Sequence, residues 1–173
     1  MSIKGKLYTR TPWSYKERPV PSAKLNAWDG HIETALERVS QLLSLAWGGG
    51  DGVLRTGRGD ELRVEESVPP GVSVRVMPGL AFISKNIYAL DEIYRTTDIT
   101  PPSALPRIDV VQARLSDWGI SVVRGEEAEA PVPPDTERDC IALAKLHLRP
   151  GMASIRTADN GTDGWIEDAR AFL

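Results

Sequence analysis

Residues Pro106–Gly151 read PRIDVVQARLSDWGISVVRGEEAEAPVPPDTERDCIALAKLHLRPG, and this stretch decides the fold class. It contains apolar runs rich in β-branched residues, separated by a loop rich in proline and glutamate. Such runs, bounded by turn-forming residues, are typical of β-strands. The stretch contains no evident catalytic residue, so it predicts a strand–loop–strand element with a structural role.

The alternating pattern continues on both sides of this stretch. The pattern is present before this stretch in ELRVEESV, GVSVRVMPG and LAFISKNIYAL, and after it in ASIRTA. The segment ADNGTDGW is typical of a hairpin tip. Short strands separated by Pro-Pro, Pro-Gly or Gly-Glu turns favour an antiparallel sandwich or barrel over βαβ units. We therefore expect a mainly β protein, with an antiparallel sandwich or barrel-like domain over residues 61–173 and one long N-terminal helix.

That helix is predicted over residues 22–47. Ser22 offers an N-cap directly after Pro21, and the triplet that begins at Gly48 ends the helix. Between them the apolar positions alternate in steps of three and four, which is a heptad pattern. Five of these positions form the predicted assembly interface on the helix: Leu25, Trp28, Ile32, Val39 and Leu42.

The heptad pattern allows two interpretations. A wide apolar stripe suits a helix that lies on its own β-domain. The same stripe suits self-association into a bundle, in which Trp28 makes a tight two-stranded coil awkward. Under the second interpretation we expect a homo-oligomer, with a trimer favoured.

The N-terminal arm, residues 1–21, is rich in aromatic residues and proline. Proline restricts the backbone, so we expect the arm to be extended and irregular. Trp13 and Tyr15 predict that the arm docks on its own domain or on a neighbouring subunit, and they complete the predicted assembly interface. Residues 48–60 are predicted to be a glycine-rich linker.

Bulk properties exclude several classes of function. The net charge is −3 and the sequence has no run of basic residues, which argues against nucleic-acid binding. No apolar window is long enough to cross a membrane, and the N-terminus lacks a secretory h-region. Cys140 is the one cysteine, so we expect no internal disulfide and a small buried thiol in a reducing cytoplasm.

No motif in the chain predicts catalysis or a cofactor. GVLRTGRG has two glycines of a phosphate-binding loop, but Arg58 and Gly59 stand where lysine and serine or threonine are required. The segment DNGTDG begins like a calcium loop, but Arg170 replaces its bidentate glutamate. His31 and His147 lack a second ligand at i+2 or i+4. We predict no catalytic residue, no cofactor and no metal site, and we expect that the protein is not an enzyme.

Four motifs follow one another between Leu62 and Leu173: VSVRVMPGLAFISKNIYAL, PPSALPRIDVVQARL, ISVVRGEEAEAPVPPDTERDCIALAKLHLRPG and IEDARAFL. Upstream, PVPSAKLNAWDGHIETAL contains a Leu-Asn pair near the start of the helix. In this order the motifs resemble a small β-domain of tail-fibre and baseplate proteins of tailed bacteriophages. The upstream stretch is similar to the start of phage fibre proteins.

The resemblance implies a virion structural protein, made in the bacterial host cytoplasm and located in the virion tail. Such a protein is a tail or baseplate component, or an adaptor that attaches tail fibres or receptor-binding proteins during host attachment. Its partners are copies of itself and other phage tail, baseplate or fibre proteins, without nucleic acid or membrane. A fibre polypeptide usually continues past such a domain, so the end at Leu173 favours an adaptor. The proline-braced loop is expected to pack on a partner.

Two other interpretations remain open. One is a carbohydrate- or ligand-binding module of a fibre tip, with Trp118, Trp165 and Tyr88 as stacking residues. Their alternative role is in the core or rim of the β-domain. The other, ranked last, is a hydrolase acting on surface polysaccharide. An exposed groove containing Trp118 and Trp165 side by side favours binding, whereas their burial between subunits favours assembly.

Overall fold

A computed structural model describes residues 11–12, 20–46 and 48–173, apart from the side chain of Ser44. The chain divides into two compact units, Met1–Gly49 and Gly50–Leu173. The predicted interface residues Trp13 and Tyr15 lie outside the described residues.

The first unit contains helix α1, Ser22–Ala46, so the predicted helix is present. The carbonyl of Pro21 accepts hydrogen bonds from the backbone N–H groups of Lys24 and Leu25, at 3.0 and 3.3 Å. Pro21 therefore occupies the N-cap position that the sequence assigned to Ser22, which is the first helical residue. At the other end, Gly48 has a φ of 80°, a conformation that favours glycine.

The second unit is described throughout and consists of short strands. They are β1 Gly52–Val53, β2 Val64–Glu66, β3 Val74–Val76, β4 Gly79–Ile83, β5 Asn86–Leu90, β6 Tyr94–Arg95, β7 Arg107–Arg114, β8 Ile120–Val123, β9 Cys140–Leu148, β10 Ile155–Arg156 and β11 Gly164–Asp168.

These strands form three sheets, with orders β1-β4-β5, β2-β3-β6 and β10-β11-β9-β7-β8. Neighbouring strands are antiparallel except for the pair β10–β11. The expectation of a mainly β protein with one long helix is confirmed. None of the three sheets in residues 50–173 closes on itself, so the barrel alternative is not adopted.

The predicted linker, residues 48–60, differs from the structure, because the β-unit already begins at Gly50. Strand β1 pairs with β4, and the N–H of Val53 donates to the carbonyl of Ala171 at 2.7 Å. A side chain at Gly52 would meet that carbonyl at 2.8 Å, so the approach requires glycine. A strand of two residues is too short to show an alternation of apolar and polar residues, so the sequence pattern did not predict β1.

The two central strands of the five-stranded sheet contain a β-bulge. Val111 pairs with Ala144 but Gln112 pairs with Ala142, so Leu143 is the extra residue on β9. The bulge lets the adjacent residues Leu143 and Ala144 both face the core, where they are buried. It explains the break in the alternation of CIALAKLHL.

Both faces of β7 are covered. Its odd-numbered residues, such as Val111 and Ala113, contribute to the main core. The even-numbered residues Ile108 and Val110 lie on the other face and are also buried. The proline-rich loop reaches this face at Glu137, whose carboxylate accepts a hydrogen bond from the buried Gln112 at 2.7 Å. At the start of the loop, Gly125 lies beside β7, where an added side chain would meet the carbonyl oxygen of Ile108 at 2.1 Å.

The same loop is bound to its own domain near its start. The carboxylate of Glu127 accepts hydrogen bonds from the backbone N–H groups of Ser103, Ala104 and Leu105. These bonds, with the one from the Ser103 hydroxyl, hold the pKa of Glu127 below its usual value. The loop thus completes its own β-domain, while Val132 at its tip remains 76% exposed. Packing on a partner, as predicted, would use the exposed residues of the loop, which include Val132.

Candidate functional site

The predicted interface residues on α1 all lie at its surface. They are between 38% and 49% exposed in the single chain: Leu25, Trp28, Ile32, Val39 and Leu42. We call these five residues the seam. Beside the seam, Leu36 and Leu45 are exposed by 63% and 54%. The burial expected for the seam is therefore not achieved within the unit that contains α1.

A described part of the N-terminal arm contacts the same helix. Thr11, which is buried, places its hydroxyl 3.0 Å from Nδ1 of His31. His31 lies on α1 between the seam residues Trp28 and Ile32 in sequence. The arm therefore docks on its own unit at Thr11, which fits one of the two alternatives left open for it.

The three aromatic residues proposed to stack a ligand do not form one surface. Tyr88 is fully buried beneath Trp118, with ring centroids 6.4 Å apart and planes at 13°. Trp165 stacks instead on His147, at 4.0 Å. His147 pairs with Ile108 at the start of β7, whereas Trp118 lies in the turn after its end. The two tryptophans are thus at opposite ends of the sheet, about 20 Å apart along the strand direction.

Trp118 is held in an unusual conformation. Its φ is 54°, in the left-handed region that bulky residues rarely adopt, and its side chain is 54% exposed. The turn is fixed by Asp117, which accepts a hydrogen bond from Nε of Arg114 at 3.1 Å. Arg114 lowers the pKa of Asp117. Burial, with a contribution from the nearby charge of Asp117, raises the pKa of Tyr88 to about 12.

A polar pocket lies between the open edge of β8 and the chain that follows β6. Its volume is about 260 Å³. We name it the edge pocket, and it is lined by Tyr94, Thr96, Thr97, Asp98, Ile99, Thr100, Arg107, Asp109, Ile120, Ser121, Val122 and Arg124. β6 and β8 are each the last strand of their sheet, so the pocket is formed where two sheet edges meet.

A buried ion pair lines the edge pocket. Arg107 donates from Nε and Nη2 to the two carboxylate oxygens of Asp109, at 2.7 and 3.1 Å. Nη2 also donates to the carbonyl of Thr100 at 2.7 Å. Asp109 accepts the backbone N–H of Gly125 at 3.0 Å, which ties the pair to the proline-rich loop. The sequence carried a signal for this pair, since opposite charges two residues apart on a strand lie on one face.

The remaining polar clusters among the described residues consist of contacts within the β-domain. His147 and Lys145 both contact the carboxylate of Glu167, at 2.7 Å each, but neither serves a hydroxyl or thiol nucleophile among the described contacts. Cys140 is partly exposed, rather than buried as expected, and burial is the main cause that raises the pKa of its thiol. In residues 11–12, 20–46 and 48–173, no group of three or more histidine, cysteine or carboxylate side chains could hold a metal ion.

In the two loops that resemble ligand-binding motifs, carboxylates accept hydrogen bonds from groups of the same domain. The carboxylate of Glu61 accepts the hydroxyl and N–H of Thr56, both at 2.7 Å, and the N–H of Arg58 at 3.1 Å. In the calcium-like loop, Arg149 donates to both carboxylate oxygens of Asp159, at 2.7 and 2.8 Å. These carboxylates stabilise the turns of their own loops.

No protein-family model matches this chain, and no curated protein or solved structure matches it either. Among the helices that the structure describes, none is both long enough and apolar enough to span a bilayer.

Proposed function

We propose that the protein is a structural component of a phage virion, in the tail or baseplate, and that it acts by assembly rather than catalysis. One observation supports assembly above the others. The seam extends along a 25-residue helix and stays exposed within the unit that contains it. Leaving apolar surface in water costs about 25 cal/mol per Å², so a contiguous stripe of this kind favours association.

A second copy of the same helix is the partner that fits the seam. Heptad spacing lets identical helices interlock, because each seam residue fits between residues of the facing helix. Apolar residues also flank the seam at Leu36, Leu43 and Leu45. A stripe broader than a two-stranded seam, together with the bulk of Trp28, favours three or more helices.

The β-domain suits a rigid part of a larger assembly. Its longest loop is bound to the same domain at Glu127 and at Glu137, so binding a partner would cost this loop little conformational entropy. The position in a tail or baseplate rests on the resemblance of the sequence motifs. Their last motif, IEDARAFL, contains Asp168 and Arg170, whose side chains pair at 2.7 Å near the end of the domain.

Purified virions provide the test of the proposed location. Particles from a culture that produces the chain are banded by density, washed and digested, and peptides of the chain are quantified by mass spectrometry. We expect the chain at a fixed small ratio to the major tail proteins. Its presence in the lysate but not in banded particles would contradict the proposal.

A further inference from the structure

The edge pocket has a polar lining that its own domain leaves incompletely used. Arg107 is 1% exposed, yet its Nη1 has no hydrogen-bond partner, the nearest carboxylate oxygen being that of Glu127 at 3.8 Å. Asp98 also lines the pocket and is exposed, and no hydrogen bond or ion pair joins it to another described side chain. A buried polar group without a partner requires an explanation, such as a bound water or ligand.

The charges of the edge pocket balance. Arg107 and Arg124 carry positive charge, and Asp98 and Asp109 carry negative charge. A pocket that binds phosphate or a carboxylate has an excess of positive charge, and one that binds a cation has an excess of negative charge. This balance favours a neutral ligand.

The lining provides both donors and acceptors at short range. Arg124 and the hydroxyls of Thr97 and Ser121 can donate, while Asp98 can accept. Tyr94, which is 38% exposed, adds the face of an aromatic ring and a hydroxyl. A hydroxyl-rich ligand with apolar C–H faces matches this combination.

The size of the pocket limits the ligand. Its volume of about 260 Å³ is below the range of about 300–1,000 Å³ that is usual for drug-sized ligands. The pocket therefore suits a single ring or the terminal unit of a longer chain. The turn that carries the exposed ring of Trp118 leads directly into β8, which lines the pocket.

We propose that the edge pocket binds one unit of a neutral saccharide, with Asp98 and Arg124 as its hydrogen-bonding groups and Tyr94 as its stacking surface. This goes beyond the assembly function and does not depend on it. It also uses residues other than Trp165 and Tyr88, which the topology and burial separate from any common groove.

The test uses the full chain and an immobilised panel of neutral, sulfated, phosphorylated and sialylated glycans, followed by titration calorimetry with the best neutral glycan. We expect binding to at least one neutral glycan. Asp98→Asn and Tyr94→Ala should each weaken it about tenfold or more, which is the expected loss of a charged hydrogen bond or an aromatic contact. Asp135→Asn, an exposed change on the proline-rich loop, is the matched control and should leave the affinity unchanged.

Three results would overturn the proposal: no binding to any neutral glycan, preference for charged glycans, or neutral-glycan affinity that Asp98→Asn and Tyr94→Ala leave intact. Because β8 is an open edge, an extended peptide is the competing occupant. The pocket would be assigned to peptides instead if the chain bound no glycan but bound members of a peptide library, and if substitutions in β8 abolished that peptide binding. The oligomer mass of each variant should stay unchanged, so this result is separable from the assembly function.

Discussion

Gln112 and Glu137 bind each other through two hydrogen bonds, and this pairing closes the proline-rich loop over β7. The N–H of Glu137 donates to Oε1 of Gln112 at 3.0 Å, and Nε2 of Gln112 donates to Oε2 of Glu137 at 2.7 Å. Gln112 is fully buried, and Nε2 also contacts the hydroxyl of Ser121 at 3.1 Å. One side chain therefore joins β7, β8 and the loop.

Replacing Gln112 with alanine should destabilise the β-domain. The change removes the hydrogen bonds of Gln112 to Glu137 and Ser121 and leaves a cavity where its fully buried side chain packed, which costs about 1–3 kcal/mol. Urea unfolding measures the loss, and limited proteolysis should show faster cleavage within residues 125–137. Gln41→Ala on α1 is the control and should change neither. Unaltered proteolysis of the loop in Gln112→Ala would show that this pairing does not hold the loop.

Adding a methyl group at Gly125 should release the same loop by a different route. The new Cβ would lie 2.1 Å from the carbonyl oxygen of Ile108, so backbone must move. We expect Gly125→Ala to cost more than about 2 kcal/mol in the free energy of unfolding. Gly30→Ala is the matched control, because a Cβ there meets nothing within 4 Å and should stabilise the helix by about 1 kcal/mol. Equal melting temperatures for Gly125→Ala and the natural chain would contradict the described packing.

The stability of the β-domain should fall in acid partly through Glu61. Hydrogen bonds, first from the side chain of Thr56, lower its pKa from the ordinary 4.5 to about 2. Since the folded pKa lies below the unfolded one, the stabilisation is complete above the unfolded value and is lost as the pH falls toward the folded value. As the pH falls from above 4.5 to about 2, we expect the unfolding free energy of Glu61→Gln to fall less steeply than that of the natural chain. Glu92→Gln, an exposed change, should follow the natural curve. An unchanged slope in Glu61→Gln would be inconsistent with this role.

Deleting residues 1–18 should weaken assembly and leave the β-domain folded. Trp13 belongs to the predicted assembly interface, and the arm of residues 1–21 carries five basic residues and one acidic residue. The β-unit, residues 50–173, has the opposite net charge, with 14 basic and 20 acidic residues. We expect the truncated chain to keep its melting temperature and to dissociate at higher concentration than the full chain. Added salt should weaken assembly of the full chain more than that of the truncated one. Equal dissociation constants for the full and truncated chains would show that the arm does not contribute to assembly.

The sequence predicted the helix well because its signals are local. The prolyl carbonyl at Pro21 and the glycine at Gly48 fix its ends, and the heptad spacing is continuous between them. The mainly β character was also predictable, because the alternation of apolar and polar residues along a strand is a local signal. The sequence could not show that Gln112 is buried, because the loop that covers it comes from residues 25 positions away.

The edge pocket could not be predicted from the sequence. Its walls come from the segment after β6 and from β8, which only the folded topology brings together. The separation of Trp118 and Trp165 depends likewise on strand order. Local residue types suggested a shared stacking surface, and the pairing of β7 with β9 separates them.

The molar mass of the full chain in solution tests the central claim, which is assembly through the seam. Multi-angle light scattering compares the natural chain with Ile32→Asp/Val39→Asp, which puts two carboxylates in the seam. The matched control Asn26→Asp/Ser40→Asp adds the same charge elsewhere on α1. We predict an oligomer for the natural chain and the control, with three times the chain mass of 19.0 kDa favoured, and a monomer for the seam variant. A natural chain that elutes at 19.0 kDa, or a seam variant that keeps the full oligomer mass, would contradict the account.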